Sequence, residues 1–317
     1  MEFHRDILGT LAYFDVFDYP LTAEEIGKFM MKVSPVVAQK PADIKEAVDR
    51  EMEYLLSAGL VGEREGCFFL GGKEYLAPLR EKRRLISLKK RKILSRGVRW
   101  LRHVPYIRAV FVAGSVAMNN CEEIGDIDIL IVTAKDRIWL ARFFESVLLS
   151  LLRIRRIYKH AVSPNKICPN HYLAEDGLKI PFEGVYNAMT YATMAPVISS
   201  PGIVEKFREE NIWIKKFVRW LPETGRGRSP SFVSKFFEIV LSPVSGYLNQ
   251  AAKNYQIGRI EKHRRWDKGG HIIYSDKQLA FHPYSVEKSV EEKFQKQMAD
   301  MNKKGNGLPF GDKVSHF

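Results

Sequence analysis

The chain has 317 residues, 45% of them hydrophobic, which is enough apolar material for two or three domains of about 100–200 residues each. A net charge of +13 suits a polyanionic partner such as RNA, DNA, a nucleotide or an anionic membrane surface, although many basic proteins bind nothing acidic. Three cysteines, Cys67, Cys121 and Cys168, show no even count, CxxC pair or Cys/His spacing, which argues against a disulfide framework and against the common zinc sites.

The first residues, Met1-Glu2-Phe3-His4-Arg5-Asp6, lack the basic-then-apolar pattern of a signal peptide. From Arg5 to Phe17, apolar residues recur at helical spacing (Ile7, Leu8, Leu11, Phe14), and Tyr19-Pro20 ends that helix. Thr22-Ala23-Glu24-Glu25 forms a capping box that opens a short helix to about Met31. A connection containing Ser34, Pro35 and Pro41 leads to a third helix, about Ala42 to Ala58, closed by Gly59. Val61–Arg64 and Cys67–Leu70, joined around Glu65-Gly66, predict a two-stranded wing. This order resembles a winged helix-turn-helix domain. The stretch Leu11 to Thr22, LAYFDVFDYPLT, is similar to the opening of a group of bacterial nucleotidyltransferase-domain proteins. The third helix carries more acids (Asp43, Glu46, Asp49, Glu51, Glu53) than bases (Lys45, Arg50). Facing phosphates it would have the wrong sign, so a structural or protein-contact role is favoured over nucleic-acid reading.

Arg80 to Arg102 holds eleven Lys/Arg and one acid, Glu81, interleaved with apolar residues. It predicts a basic amphipathic linker helix, serving either as a solvated charged face or as a phosphate-contacting strip.

At Ile107 the pattern changes to a buried strand ending at Ala113, interrupted by Gly114-Ser115. Ten residues separate Ser115 from Asp126-Ile127-Asp128, which opens a second apolar strand to Val132. A helix over about Asp136 to Ile154 and a strand over Lys166 to Ala174 follow. The most apolar stretch, Ile138 to Leu152, is broken by Arg142 and Glu145 and is too short to span a bilayer; a cytoplasmic protein is expected. On a strand Asp126 and Asp128 share one face, roughly 7 Å apart, while Ile127 and Ile129 turn to the core. Two such carboxylates repel unless a cation lies between them, and Mg2+ with substrate phosphates is the natural choice. Gly114 allows close backbone approach to a triphosphate, and Ser115 can offer its hydroxyl and nearby N–H groups to phosphate oxygens. A two-ion arrangement would activate an acceptor hydroxyl and stabilise the pyrophosphate leaving group.

The pattern G-S-x10-D-x-D between strands resembles the signature of the DNA polymerase beta-type nucleotidyltransferase superfamily. The resemblance covers about Arg108 to Ala174. It implies that Gly114 and Ser115 bind the NTP and that Asp126 and Asp128 ligate Mg2+ as the catalytic pair. That superfamily usually supplies a third carboxylate from a later strand. The matching stretch, Lys166 to Ala174, holds no acid and places Asn170 or His171 in that slot. Asn170 could give a neutral oxygen ligand, and His171 could take a proton near neutral pH. Glu175, Asp176 and Glu183 lie close in sequence.

Ile203–Leu221 and Phe232–Gln256 have helical apolar spacing, separated by an exposed basic loop over 222–230. Arg259, Lys262, His263, Arg264, Arg265 and Trp266 form a second basic cluster, and the tail from Asn302 is expected to be disordered.

The expected protein is therefore α+β. A winged-helix-like domain covers 1–78 and a basic linker helix covers 79–104. A nucleotidyltransferase mixed sheet with flanking helices covers 105–200, a helical C-terminal region 201–301 and a tail 302–317. The expected function is Mg2+-dependent transfer of a nucleoside monophosphate from an NTP to a hydroxyl on tRNA or other nucleic acid, a protein or a small molecule. The alternative is a catalytically inactive descendant of the fold acting as a nucleic-acid-binding or regulatory module.

Overall fold

The computed structural model describes residues 2–32, 41–157, 163–219, 227–263, 269–284 and 286–304. The expected connection residues Ser34 and Pro35, loop residues 222–226, Arg264, Arg265 and Trp266, and tail residues 305–317 lie outside them.

Three helices open the chain: α1 (Glu2–Asp15), α2 (Ala23–Lys28) and α3 (Pro41–Ser57). The hairpin β1 (Val61–Arg64) and β2 (Cys67–Leu70) follows, paired from Val61↔Leu70 to Arg64↔Cys67. The capping box starts α2 as predicted: the Glu25 N–H donates to Thr22 Oγ1 at 3.3 Å, and the Thr22 N–H donates to Glu25 Oε2 at 2.9 Å. Such a cap contributes about 1 kcal/mol. Glu25 has a second task, accepting both ends of the Arg80 guanidinium at 2.7 and 2.9 Å. That bidentate pair ties α2 to the first turns of α4 (Leu76–Leu101).

The centre is a six-stranded mixed sheet built from β3 (Ile107–Val112), β4 (Ile127–Thr133), β5 (Ile167–Ala174), β6 (Ala195–Ser199), β7 (Gly269–Tyr274) and β8 (Gln278–Tyr284). Its order is β6-β3-β4-β5-β8-β7, with β4 and β5 parallel and all other neighbours antiparallel. The remaining elements are α5 (Gly114–Ala117), α6 (Ile138–Leu151), α7 (Val185–Ala192), α8 (Ile203–Glu210), a 3-10 turn (Ile212–Lys216), α9 (Phe232–Leu241), α10 (Ser245–His263) and α11 (Glu287–Lys304).

The near-continuous apolar run of β4 is explained by burial on both faces. Ile127, Ile129 and Ile131 pack with Leu94 and Val98 of α4, Trp139 and Leu149 of α6 and Ala252 of α10. Leu130 and Val132 face the other way, into a core shared with α7, α8, α11 and the N-terminal helices, where Ile7, Leu11, Phe14 and Ile26 lie. The first three helices and one face of the sheet thus share a single core, and each fully buried large side chain in it contributes about 1.5–3 kcal/mol. Gly97 lets α4 close on β5, because a Cβ there would overlap the Ile167 side chain.

Four expectations for the last third are revised. The helix expected over Ile203–Leu221 ends at Glu210, where buried Asn211 turns its side chain onto the carbonyls of Leu178 and Phe207, each at 2.8 Å. The helix expected over Phe232–Gln256 divides into α9 and α10 at Ser242–Val244, around Pro243. The C-terminal region is not purely helical, because β7 and β8 extend the central sheet from its β5 edge. Residues 302–304, placed in the expected tail, continue α11.

Candidate functional site

Strand β3 delivers the chain to a tight turn at its carboxyl end. Ala113 is extended, Gly114 takes φ +60°, and α5 begins there. Only glycine adopts that left-handed φ without steric cost. The Ala113 N–H donates to the Asp128 carbonyl at 3.0 Å, so the turn is fixed against the neighbouring strand. A Cβ on Gly114 would lie 3.5 Å from Asp128 Oδ2. Gly114 and Asp128, fourteen residues apart in sequence, are therefore direct neighbours in the fold.

The loop from Ser115 to Asp126 is held by the basic helix α4. Fully buried Lys90 donates from Nζ to the carbonyls of Glu123 (3.2 Å) and Gly125 (2.5 Å) and to Asn165 Oδ1 (3.2 Å). Desolvation lowers the Lys90 pKa from its ordinary value. Arg91 donates to the carbonyls of Val116 and Ala117 at 3.0 and 3.3 Å, capping the end of α5. Ser87 accepts the Cys121 N–H at 3.1 Å. Arg83 joins the loop to the N-terminal helices, donating to the carbonyls of Phe17 and Asp18 and to Asn120 Oδ1 at 2.9, 3.1 and 3.2 Å. Asn120 itself donates to the Phe17 carbonyl at 3.1 Å. Part of the linker's positive charge thus serves backbone carbonyls that shape this loop, a use that charge counting alone cannot reveal.

Asp126 precedes β4 and Asp128 is its second residue. Their carboxylates and the Cys168 thiol place ligand-capable atoms within 4.8 Å of one another. Parallel pairing sets Cys168 opposite Asp128. The register then shifts between Ile129↔Pro169 and Leu130↔His171, which leaves Asn170 as the extra residue of a bulge. The bulge turns Asn170 to Asp128, its Nδ2 donating to Asp128 Oδ1 at 2.7 Å. Arg156, which follows α6, forms an ion pair with Asp126 and approaches Cys168 Sγ at 3.8 Å. Burial, then the neighbouring Asp126 charge, raises the Asp128 carboxyl to about 7, against the opposing pull of Arg156 and a hydrogen bond with Cys168. Tyr186 of α7 lies close enough to Asp128 that, after burial, the carboxylate is the next cause raising its phenol pKa.

The slot expected to hold a third acid contains Asn170, with Cys168 two residues earlier on the same strand. His171 is enclosed elsewhere: Gln278 donates to its Nε2 at 2.9 Å and its Nδ1 lies 3.2 Å from the Tyr191 hydroxyl. Burial, then His282, lowers its pKa to about 3, so it stays neutral at ordinary pH, and both ring nitrogens are engaged away from Asp128. Glu175 follows the far end of β5, where its N–H donates to the Thr133 carbonyl and its carboxylate accepts the Lys135 N–H. Asp176 pairs with Lys277 and Glu183 with Lys216. None of the three acids is grouped with Asp126 and Asp128.

Two carboxylates side by side could hold one hard divalent cation, with the Cys168 thiol as the third ligand-capable group beside them. A third carboxylate for a second ion is absent among the described residues. Sequence reasoning missed two members of the site. Arg156 arrives from a loop whose path is set by tertiary packing. Cys168 could have been found by period-2 alternation from Asn170. Comparison with family models, with curated proteins and with solved structures finds no match to this chain.

Proposed function

We propose that the protein is a nucleotidyltransferase that moves a nucleoside monophosphate from an NTP to a hydroxyl acceptor at the site formed by Gly114, Asp126 and Asp128. The observation that supports it most is the convergence of the left-handed Gly114 turn with the Asp126/Asp128 pair. In this reading the acceptor oxygen forms a bond to the α-phosphorus as the bond to pyrophosphate breaks, and the hydroxyl proton is released to solvent. Asp126 and Asp128 would hold Mg2+, which supplies neutralisation of phosphate charge. Gly114 leaves room for the triphosphate, and Ser115 offers its hydroxyl. Asn170 orients the Asp128 carboxylate through its hydrogen bond. Arg156 balances the two carboxylates in the metal-free protein and is placed to turn to substrate phosphate once a cation binds. The N-terminal region, read as winged-helix-like, meets the loop through the turn after α1, where Arg83 bonds the Phe17 and Asp18 carbonyls and Asn120 that of Phe17; the acidic α3 is poorly suited to nucleic-acid reading.

The test is titration of the full chain with Mg2+ and each NTP, followed by calorimetry. Saturable, Mg2+-dependent NTP binding that Asp126→Ala and Asp128→Ala abolish is expected. NTP binding that ignores both substitutions refutes the assignment. A second reading, a non-catalytic nucleotide-binding or regulatory descendant, is favoured by Asn170 in the third-acid slot and by Arg156 on Asp126. Retained NTP binding without turnover on tRNA, protein or small-molecule hydroxyls would select it.

A further inference from the structure

Helix α9 is turned inside out. The residues it directs inward are polar: Ser234 Oγ donates to the Val104 carbonyl at 3.0 Å, and Glu238 takes the Arg108 guanidinium at 2.9 Å twice and the Tyr106 N–H at 2.7 Å. Its outward residues are apolar. Phe232 is 81% exposed, Ile239 73%, and Tyr247 just beyond it 78%, with Phe236, Phe237 and Val240 about half exposed between them. The apolar spacing that predicts a packed helix thus presents its greasy side to solvent, which a soluble surface rarely tolerates over a contiguous stretch. Lys235 is the one exposed charge within α9.

The N-terminus of α9 abuts the end of α4. Ser231 donates its N–H to the Arg102 carbonyl at 2.8 Å, and its hydroxyl lies 2.7 Å from His103 Nδ1. His103 in turn contacts Trp100, itself half exposed. From there an exposed cationic stripe runs back along α4 through Arg99, Arg96, Lys92, Lys89 and Lys82, none of which forms an ion pair with another described residue. The apolar anchor therefore adjoins the carboxyl end of the helix that carries the cationic stripe.

We propose that the α9 face with the adjoining α4 stripe docks on an anionic phospholipid surface, α9 lying in the interfacial plane. The charge pattern selects this occupant. Pairing of α9 with α9 in a second copy would bring two chains of net charge +13 and their cationic stripes together, whereas an anionic bilayer satisfies both halves of the surface. No described helix is long and apolar enough to cross a membrane, so the attachment is peripheral.

The experiment is co-sedimentation of the full chain with phosphatidylcholine vesicles and with vesicles in which about a third of the lipid is phosphatidylglycerol. Binding to the second and not the first is expected, weakening as salt rises. The combined variant Phe232→Ser, Phe236→Ser, Ile239→Ser should weaken binding about tenfold or more with no loss in Tm, because these side chains are exposed. Lys89→Ser with Lys92→Ser and Arg96→Ser should lose the preference for anionic lipid. Three results would overturn the proposal: no partition onto anionic vesicles, equal partition by the apolar variant, or a vesicle-independent dimer abolished by that variant. Retention of single-stranded RNA in place of vesicles, dependent on the same stripe, would also overturn it.

Discussion

Replacing Asp128 by asparagine should stabilise the metal-free protein, and the gain should depend on pH in a defined way. In the fold the Asp128 carboxyl is raised to about 7 from its ordinary 3.8, first by burial and then by Asp126. A raised carboxyl pKa means that the folded state holds its proton where the unfolded state has released it. The group therefore costs nothing below about pH 4, and its ionisation erodes stability progressively between about pH 4 and pH 7. Above pH 7 the cost is constant. About three pK units correspond to a ceiling of about 4 kcal/mol. Because the side chain is only half-buried, solvent screening reduces that to about 1–2 kcal/mol. The asparagine side chain keeps the oxygen that accepts from Asn170, so the hydrogen bond at 2.7 Å survives. For a chain of this length about 2 °C of Tm accompanies each kcal/mol. Differential scanning fluorimetry in chelator should show the variant about 2–4 °C above wild type at pH 8, with the difference shrinking towards pH 5. Adding Mg2+ should raise the wild-type Tm and leave the variant unmoved. A variant less stable than wild type at pH 8, or a difference independent of pH, would refute the reasoning that burial beside Asp126 destabilises the ionised Asp128 carboxylate.

Lys90→Met removes the donor that serves the Glu123 and Gly125 carbonyls and should cost about 2–4 kcal/mol in urea unfolding, since buried acceptors lose their partner. Arg156→Gln removes the cation paired with Asp126; calorimetry should find divalent-ion affinity increased several-fold, and an unchanged affinity would show that the guanidinium does not compete. Gly114→Ala should cost about 1 kcal/mol of stability from φ +60° while weakening NTP binding by a larger factor, which parallel unfolding and binding measurements separate. His171→Gln should leave the pH dependence of any NTP-linked activity near neutrality unaltered, because His171 stays neutral under Tyr191 and Gln278; a lost limb in the profile would contradict that.

Much of the fold was legible in the sequence because its signals are local. The capping box at Thr22, the hairpin around Glu65-Gly66, the apolar strands on either side of Gly114-Ser115 and the D-x-D all depend on neighbours within a few residues. The bounds of β1 and β2 follow directly from them. The last third was less legible, since its elements are decided by partners far away. Asn211 ends α8 by bonding Leu178, thirty-three residues distant. The β7–β8 hairpin is a strand pair only because the β5 edge is there to receive it. At the site, sequence placed Gly114, Ser115, Asp126 and Asp128 in candidate roles and left the third slot open between Asn170 and His171. Tertiary structure decided that slot through a single bulge in β5, which turned Asn170 to Asp128 and left His171 beneath α7. It also brought Arg156 and Cys168 to the carboxylates, committed Lys90 and Arg91 to the loop between them, and turned the apolar side of α9 outward. Periodicity specifies which residues share a face; only the packed chain determines what that face meets.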